Sequence, residues 1–155
     1  MAKVTRLKEF LDSREIKYVT INHSLAYTAH EIAGSAHIPG NRLAKTVMFK
    51  IDGKIAMAVL PGSEKVDLDS LKQAAGAKEV ELASELEFKD RFPECEIGAM
   101  PPFGNLYGMQ VFAAKNLPAD EIAFNAGSHT ELIRMSYKDF ESLVQPKIAD
   151  LSRTR

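Results

Sequence analysis

A 155-residue chain with one cysteine, Cys95, cannot close an internal disulfide, which suits a reducing compartment. It has no apolar run approaching the roughly 20 residues a membrane helix needs. Its first ten residues, MAKVTRLKEF, lack the apolar core of a signal peptide. Lysine and arginine number 20 against 21 aspartates and glutamates, so the formal net charge is −1 and bulk charge draws in neither nucleic acid nor an anionic surface. Repeats, low-complexity tracts and linkers are missing. There is no GxGxxG and no Gly-Lys-Ser/Thr, which removes the common phosphate-cradling loops. HEIAG lacks the second histidine of a zinc-protease helix. His23, His30 and His37 are spaced by seven but fall on different predicted elements, so neither a metal site nor a cofactor is expected. What remains is 45% hydrophobic, enough to bury an ordinary core as one cytoplasmic domain over residues 1–155, with no membrane or DNA partner.

Periodicity supplies the elements. Val4, Leu7, Phe10 and Leu11 recur at helical spacing, predicting an amphipathic helix over 4–14. IKYVTI (16–21) reads as a strand. Thr28 and Glu31 form a capping box, and Pro39-Gly40 ends the helix that it opens. NRLAKTVMFKIDGKIAMAVLPG (41–62) reads as strand 44–51, a type I′ Asp52-Gly53 turn and strand 54–60. IAMAVL is apolar at every position, the pattern of a central strand covered on both faces. Helices are predicted over 67–76, 83–92 and 136–144, with strands near Val80 and over 109–114, 121–126 and 130–135. The sum is a mixed α/β or α+β fold with six or seven strands.

Three places carry candidate chemistry. Lys45 alternates onto the strand face of Val47, Phe49 and Ile51, opposite Thr46, Met48 and Lys50. Its stem can snorkel its ammonium into water, or the ammonium can stand at the mouth of a pocket and hold a carbonyl or carboxylate. Alternation leaves both open. GAMPPFG (98–104) is the second: glycines at its ends permit positive φ, and Pro101 and Pro102 stiffen its middle. Prolines have no N–H, so an oxyanion site here would draw on Gly98, Ala99, Met100, Phe103 or Gly104. It reads equally as a rigid surface connection. The third is NAGSHTEL (125–132), a tight turn that presents Ser128 and His129, where Ser128 can bond local backbone and His129 can orient substrate or water. Cys95 has no nucleophile signature and reads as a small buried thiol.

AYTAHEIA, AKTVMFK, AVLPGSEKVDLDSLKQAAG, GAMPPFGNLYG and FNAGSHTELIRMSYKDF, in that order and spacing, resemble the YbaK/EbsC-type aminoacyl-tRNA deacylase family. That domain also occurs as the editing insertion of bacterial prolyl-tRNA synthetases. The resemblance implies a curved, mostly antiparallel sheet forming a partial barrel with helices around it. It also implies hydrolysis of misacylated aminoacyl-tRNA esters without a cofactor. The partners it implies are the tRNA acceptor end and, potentially, a synthetase that delivers it. By position, Lys45 falls on the family's essential lysine, and Gly98 and Gly104 bound its glycine-proline loop. Substrate contacts are implied at Tyr27, Thr46, Ala99, Met100, Pro102, Phe103, Ser128 and His129, with Arg42 toward the tRNA. Ala99 replaces a second glycine, Pro101 a serine or threonine, and Thr46 an asparagine of alanine-specific relatives. These departures bear on which amino acid is removed rather than on the reaction. A non-catalytic aminoacyl or nucleotide binder, or a hydrolase of small acyl esters that never meets tRNA, are the alternatives.

Overall fold

The computed structural model describes residues 5–23, 42–92, 95–96 and 99–154. Among these the chain forms four α-helices, α1 (Thr5–Ser13), α2 (Leu68–Ala75), α3 (Glu85–Phe88) and α4 (Tyr137–Val144). The helix predicted over 28–40 lies outside the described residues. β1 (Tyr18–Asn22), β7 (Glu121–Ser128) and β8 (Glu131–Ser136) form an antiparallel sheet in the order β1-β8-β7. β2 (Ala44–Ile51), β3 (Lys54–Pro61), β5 (Val80–Leu82), β6 (Val111–Ala114) and β9 (Lys147–Ala149) form a second, in the order β5-β2-β3-β6-β9. β4 (Glu64–Val66) pairs with β10 (Ser152–Thr154).

The architecture is α+β and mostly antiparallel, with β3–β6 and β6–β9 the parallel pairs among the described residues. No sheet closes on itself. Ten strands appear where six or seven are expected, because β4, β9 and β10 hold three residues each. A stretch that short shows no alternation to read. The helix predicted over 83–92 is α3 followed by a 3₁₀ turn at Lys89–Arg91. Phe92 precedes Pro93, which disfavours helical backbone there, and it adopts φ −126°, ψ 68°.

β3 is the middle strand of its sheet and is buried from Ala56 to Pro61. Its register with β2 pairs Met48 with Met57 and Phe49 with Ala56. One face of this sheet joins Phe49 edge-to-face with Phe112 of β6, ring centroids 5.6 Å apart. The Asp52-Gly53 turn that sets the register has φ of 48° and 88°, the double positive φ of a type I′ turn. A second aromatic knot surrounds Phe103, whose ring meets Phe10 of α1, Phe124 of β7 and Phe140 of α4 at 6.3, 5.6 and 5.6 Å. Caps fix the helix starts: the Asp67 carboxylate accepts from the Asp69 and Ser70 amides, and Ser136 Oγ accepts from the Asp139 amide.

Phe49 is fully buried between two layers, so Phe49→Ala should lower stability by about 3–5 kcal/mol. Denaturant titration checks this: the midpoint should fall at an unchanged slope.

Candidate functional site

Among the described residues the two larger sheets are joined by an isolated bridge. Leu43, just before β2, forms a parallel bridge with Ala123 of β7, and the Ala123 amide donates to the Arg42 carbonyl at 3.1 Å. Beyond the bridge, the β2 edge that faces β7 next acquires a strand partner at Phe49, which pairs with Leu82 of β5. Between these pairings, at Lys45 to Met48, β2 and β7 part. Lys45 is half-buried on the face that includes Phe49, and its cross-strand partner is the fully buried Leu60. The ammonium is therefore carried by a wall that is apolar on both strands, as alternation predicts. Thr46, also half-buried, faces the other way with Met48 and Lys50.

Glu96, just ahead of the glycine-proline loop, is bonded to the β7–β8 turn. Ala123 and, past the bulge, Gly127 both use main-chain groups on partners outside β8. The Glu96 amide donates to the Gly127 carbonyl at 2.7 Å, and the Glu96 carboxylate accepts from the His129 amide at 2.7 Å. The Glu96 carbonyl then accepts from the Ala99 amide at 3.0 Å. Glu96 thus clamps the loop to the β7–β8 turn along the edge that β2 leaves. Gly127 sits in the β7 bulge with φ 103°, a conformation that a side chain would strain. Sequence reasoning passed over Glu96, because a solitary glutamate before a loop carries no motif.

The loop is buried rather than superficial. Ala99, Met100, Pro101, Pro102, Phe103 and Gly104 are all enclosed, and two prolines in six residues leave fewer amides to satisfy there. The Ala99 amide, committed to Glu96, leaves the set of oxyanion donors. Phe103 turns its ring into the aromatic knot and Met100 is buried in the core, so their side chains pack the protein interior. Gly104 has no positive φ. Its requirement is space, since a Cβ there would lie 2.9 Å from Val111 Cγ2 and 3.3 Å from Met109 Cβ.

Ser128 closes β7 instead of standing in the turn, and its hydroxyl stays local, 3.4 Å from both the Thr130 amide and Thr130 Oγ1. His129 is buried. Tyr27 and Gly98 lie outside the described residues. No group of three or more His, Cys, Asp or Glu among the described residues is placed to hold a metal ion. No described helix is long and apolar enough to cross a membrane.

Three basic residues of the N-terminal third pair with acids among the described residues. Lys8 pairs with Glu131 at 3.1 Å, Arg42 with Asp120 at 2.7 Å, and Lys50 with Glu81 and Glu87 at 2.9 and 2.5 Å. Hydrogen bonding from Arg42 holds the Asp120 carboxyl down at about 2, and Lys50 does the same for Glu87. A depressed carboxyl favours the fold above its ordinary range and loses that contribution as pH falls toward 2. Carboxyl NMR titration should place Asp120 at about 2, and Arg42→Leu should return it toward 3.8.

Removing the clamp is a separate test. Glu96→Ala should speed His129 amide exchange by about tenfold, the scale of one charge-assisted hydrogen bond at an exposed position. Glu96→Gln, which keeps an acceptor, should recover most of that protection.

Residues 23–143 match a family model described as the aminoacyl-tRNA editing domain. The chain is 32% identical over 130 residues to the multifunctional Ser/Thr-tRNA deacylase ProXp-y of Escherichia coli (strain K12), covering 80% of this chain and 75% of that one. It is 30% identical over 83 residues to a proline–tRNA ligase of Bacillus mycoides (strain KBAB4), a match that spans 54% of this chain and 14% of the ligase. Two solved structures share the fold across nearly all of both chains. One is the hypothetical protein APE2540, with TM-score 0.85, 20% identity and coverage of 96% and 99%. The other is a candidate trans-editing enzyme for prolyl-tRNA synthetase, with TM-score 0.81, 21% identity and coverage of 97% and 96%.

Proposed function

We propose that this chain, which belongs to the aminoacyl-tRNA editing domain family, hydrolyses in trans the ester joining a wrongly attached small amino acid to the terminal ribose of tRNA. The observation that carries the reading is the family match over residues 23–143, which takes in β2 with Lys45, the loop through Gly104 and the β7–β8 turn. The relative that matches 80% of this chain is a Ser/Thr-tRNA deacylase by name, which favours serine and threonine esters over larger ones. The match to a segment of proline–tRNA ligase favours tRNA mischarged in the prolyl system, with a synthetase as a partner in delivery. Such a substrate places the protein in the cytoplasm.

In this mechanism the ester carbonyl lies at the parting of β2 and β7. Lys45 addresses the carbonyl oxygen as a compact point charge. Amides of the 98–104 loop other than Ala99 add donors, and each well-aimed donor is worth about 3–4 kcal/mol at the transition state. Water attacks, and the neighbouring ribose hydroxyl helps to hold or move its proton. No protein nucleophile is required, which fits a site whose Ser128 hydroxyl is engaged with its own turn. The Glu96–Ala99 hydrogen bond gives the loop a fixed shape before substrate arrives. Thr46, Met100, Pro102, Phe103, Tyr27 and His129 shape the surroundings. Arg42 meets the acceptor end only by exchanging Asp120 for phosphate, so its contribution to tRNA affinity is small.

The test is pure protein incubated with a panel of mischarged tRNAs. Seryl- and threonyl-tRNA should be deacylated fastest, and Lys45→Ala should slow turnover by about 10²–10³-fold. Lys45→Arg should also fail, because a planar fork does not replace a point charge. Equal rates for wild type and Lys45→Ala would end the mechanism. Equal activity on free amino-acid esters would favour a small-ester hydrolase.

A further inference from the structure

The reading above assigns donors to the ester carbonyl and leaves the other polar group of an aminoacyl ester unaddressed. One bond beyond the carbonyl carbon, the Cα carries an ammonium, which is a cation and a donor. Set beside Lys45, it is repelled unless an acceptor faces it.

Asn125 supplies that acceptor. It lies on β7 two residues past Ala123, as Lys45 lies on the neighbouring chain two residues past Leu43. Parallel strands keep bridged residues on one face, and alternation returns to that face every second residue. Lys45 and Asn125 therefore stand on the same face, each about 7 Å beyond the bridge, where the two strands part. Asn125 is half-buried and its Oδ1 is fully enclosed, with no hydrogen-bond donor on it. Its cross-strand neighbour Leu132 is fully buried, so water has little access to that side. A buried amide oxygen left unmatched destabilises the fold and calls for an occupant that brings a donor.

We propose that Asn125 Oδ1 receives the α-ammonium of the aminoacyl group, and that this contact selects free aminoacyl esters over N-blocked ones. It rests on the deacylase reading and names the part of the substrate recognised. A neutral amide suits the position better than a carboxylate, because an aspartate on the face of Lys45 would pair with that ammonium and compete with the carbonyl for it. Glu96 does not substitute for Asn125. It is exposed, and its carboxylate already accepts from the His129 amide.

The experiment measures binding of 3′-(seryl)amino-3′-deoxyadenosine, a non-hydrolysable analogue, and of its N-acetyl derivative by calorimetry, alongside deacylation of seryl-tRNA and N-acetylseryl-tRNA. Wild type should prefer the free amine by about tenfold to a hundredfold, the scale of one hydrogen bond to a charged group. Asn125→Leu, of similar shape, should reduce that preference to near unity. Its melting temperature should be unchanged or higher, the opposite of what loss of a structural amide would do. Asn125→Asp should keep the preference in binding while slowing deacylation, through its competition for Lys45. The assignment is overturned if wild type binds both analogues alike, a comparison that needs no variant to fold, or if Asn125→Leu keeps the wild-type ratio. Wild type that deacylates both tRNAs at one rate removes the role of Asn125 and leaves the deacylase standing. Wild type that neither binds nor deacylates removes both.

Discussion

The single pairing of Leu43 with Ala123 is the joint on which the arrangement depends. It places β2 and β7 side by side in parallel and then lets them separate, because the bulge before Ser128 and the later arrival of β5 send the two strands to different partners. A continuous ladder would have buried the main chain of both strands against each other. Past the bridge, β2 takes β5 as its next partner on that edge, and further along β7 the Gly127 carbonyl accepts from the Glu96 amide. Concave sites often arise this way, where secondary structure stops satisfying itself and side chains from different elements converge.

The rest of the molecule holds that joint in place. β3 is buried along most of its length, and the aromatic groups around Phe112 and Phe103 are part of one buried core. Phe103 shows how structure and site share residues. It follows two prolines in the loop, yet its ring is anchored against Phe124 of β7, so the loop is bonded to β7 twice, once through the core and once through Glu96. Gly104 continues this close packing, because its missing side chain lets the loop settle against Val111 and Met109. A loop fixed at both ends can hold amides in a set geometry without reorganising during a reaction.

Legibility in the sequence followed the physics of each element. The β2–β3 hairpin was readable to its turn type, because alternation and Asp52-Gly53 agree on one register. The central position of IAMAVL was readable, because a strand covered on both faces has no polar side. Ser136 was readable as a helix start because its hydroxyl does what that position needs. The three-residue strands β4, β9 and β10 were not readable, although β5 near Val80 was, and neither was the change from α- to 3₁₀-turn before Pro93. In the site, Lys45 stood out because a cation on an apolar face is unusual, and the loop stood out by composition. Glu96 and Asn125 gave no signal. Their meaning comes from pairings across 31 residues in one case and across the β2–β7 bridge in the other, and no local pattern encodes either.

Charge is distributed to the same end. Lys8, Arg42 and Lys50 each face a carboxylate, so these three cations of the N-terminal third are locally neutralised. Exposed pairs of this kind add little stability and are screened by salt, so their clearer consequence is for recognition. A cation already paired with a carboxylate gains little from counterion release, so these three are poorly placed to add affinity for phosphate. In the proposed reaction discrimination falls to the far end of the substrate, which carries the ester, its ammonium and a small side chain. A pocket of this kind separates side chains that differ by a methylene only weakly, by about 1–3 kcal/mol, whereas a buried oxygen that needs a donor rejects ligands lacking one more sharply. The site proposed at Lys45 and Asn125 is therefore better suited to asking whether a free amino acid is attached than which small amino acid it is.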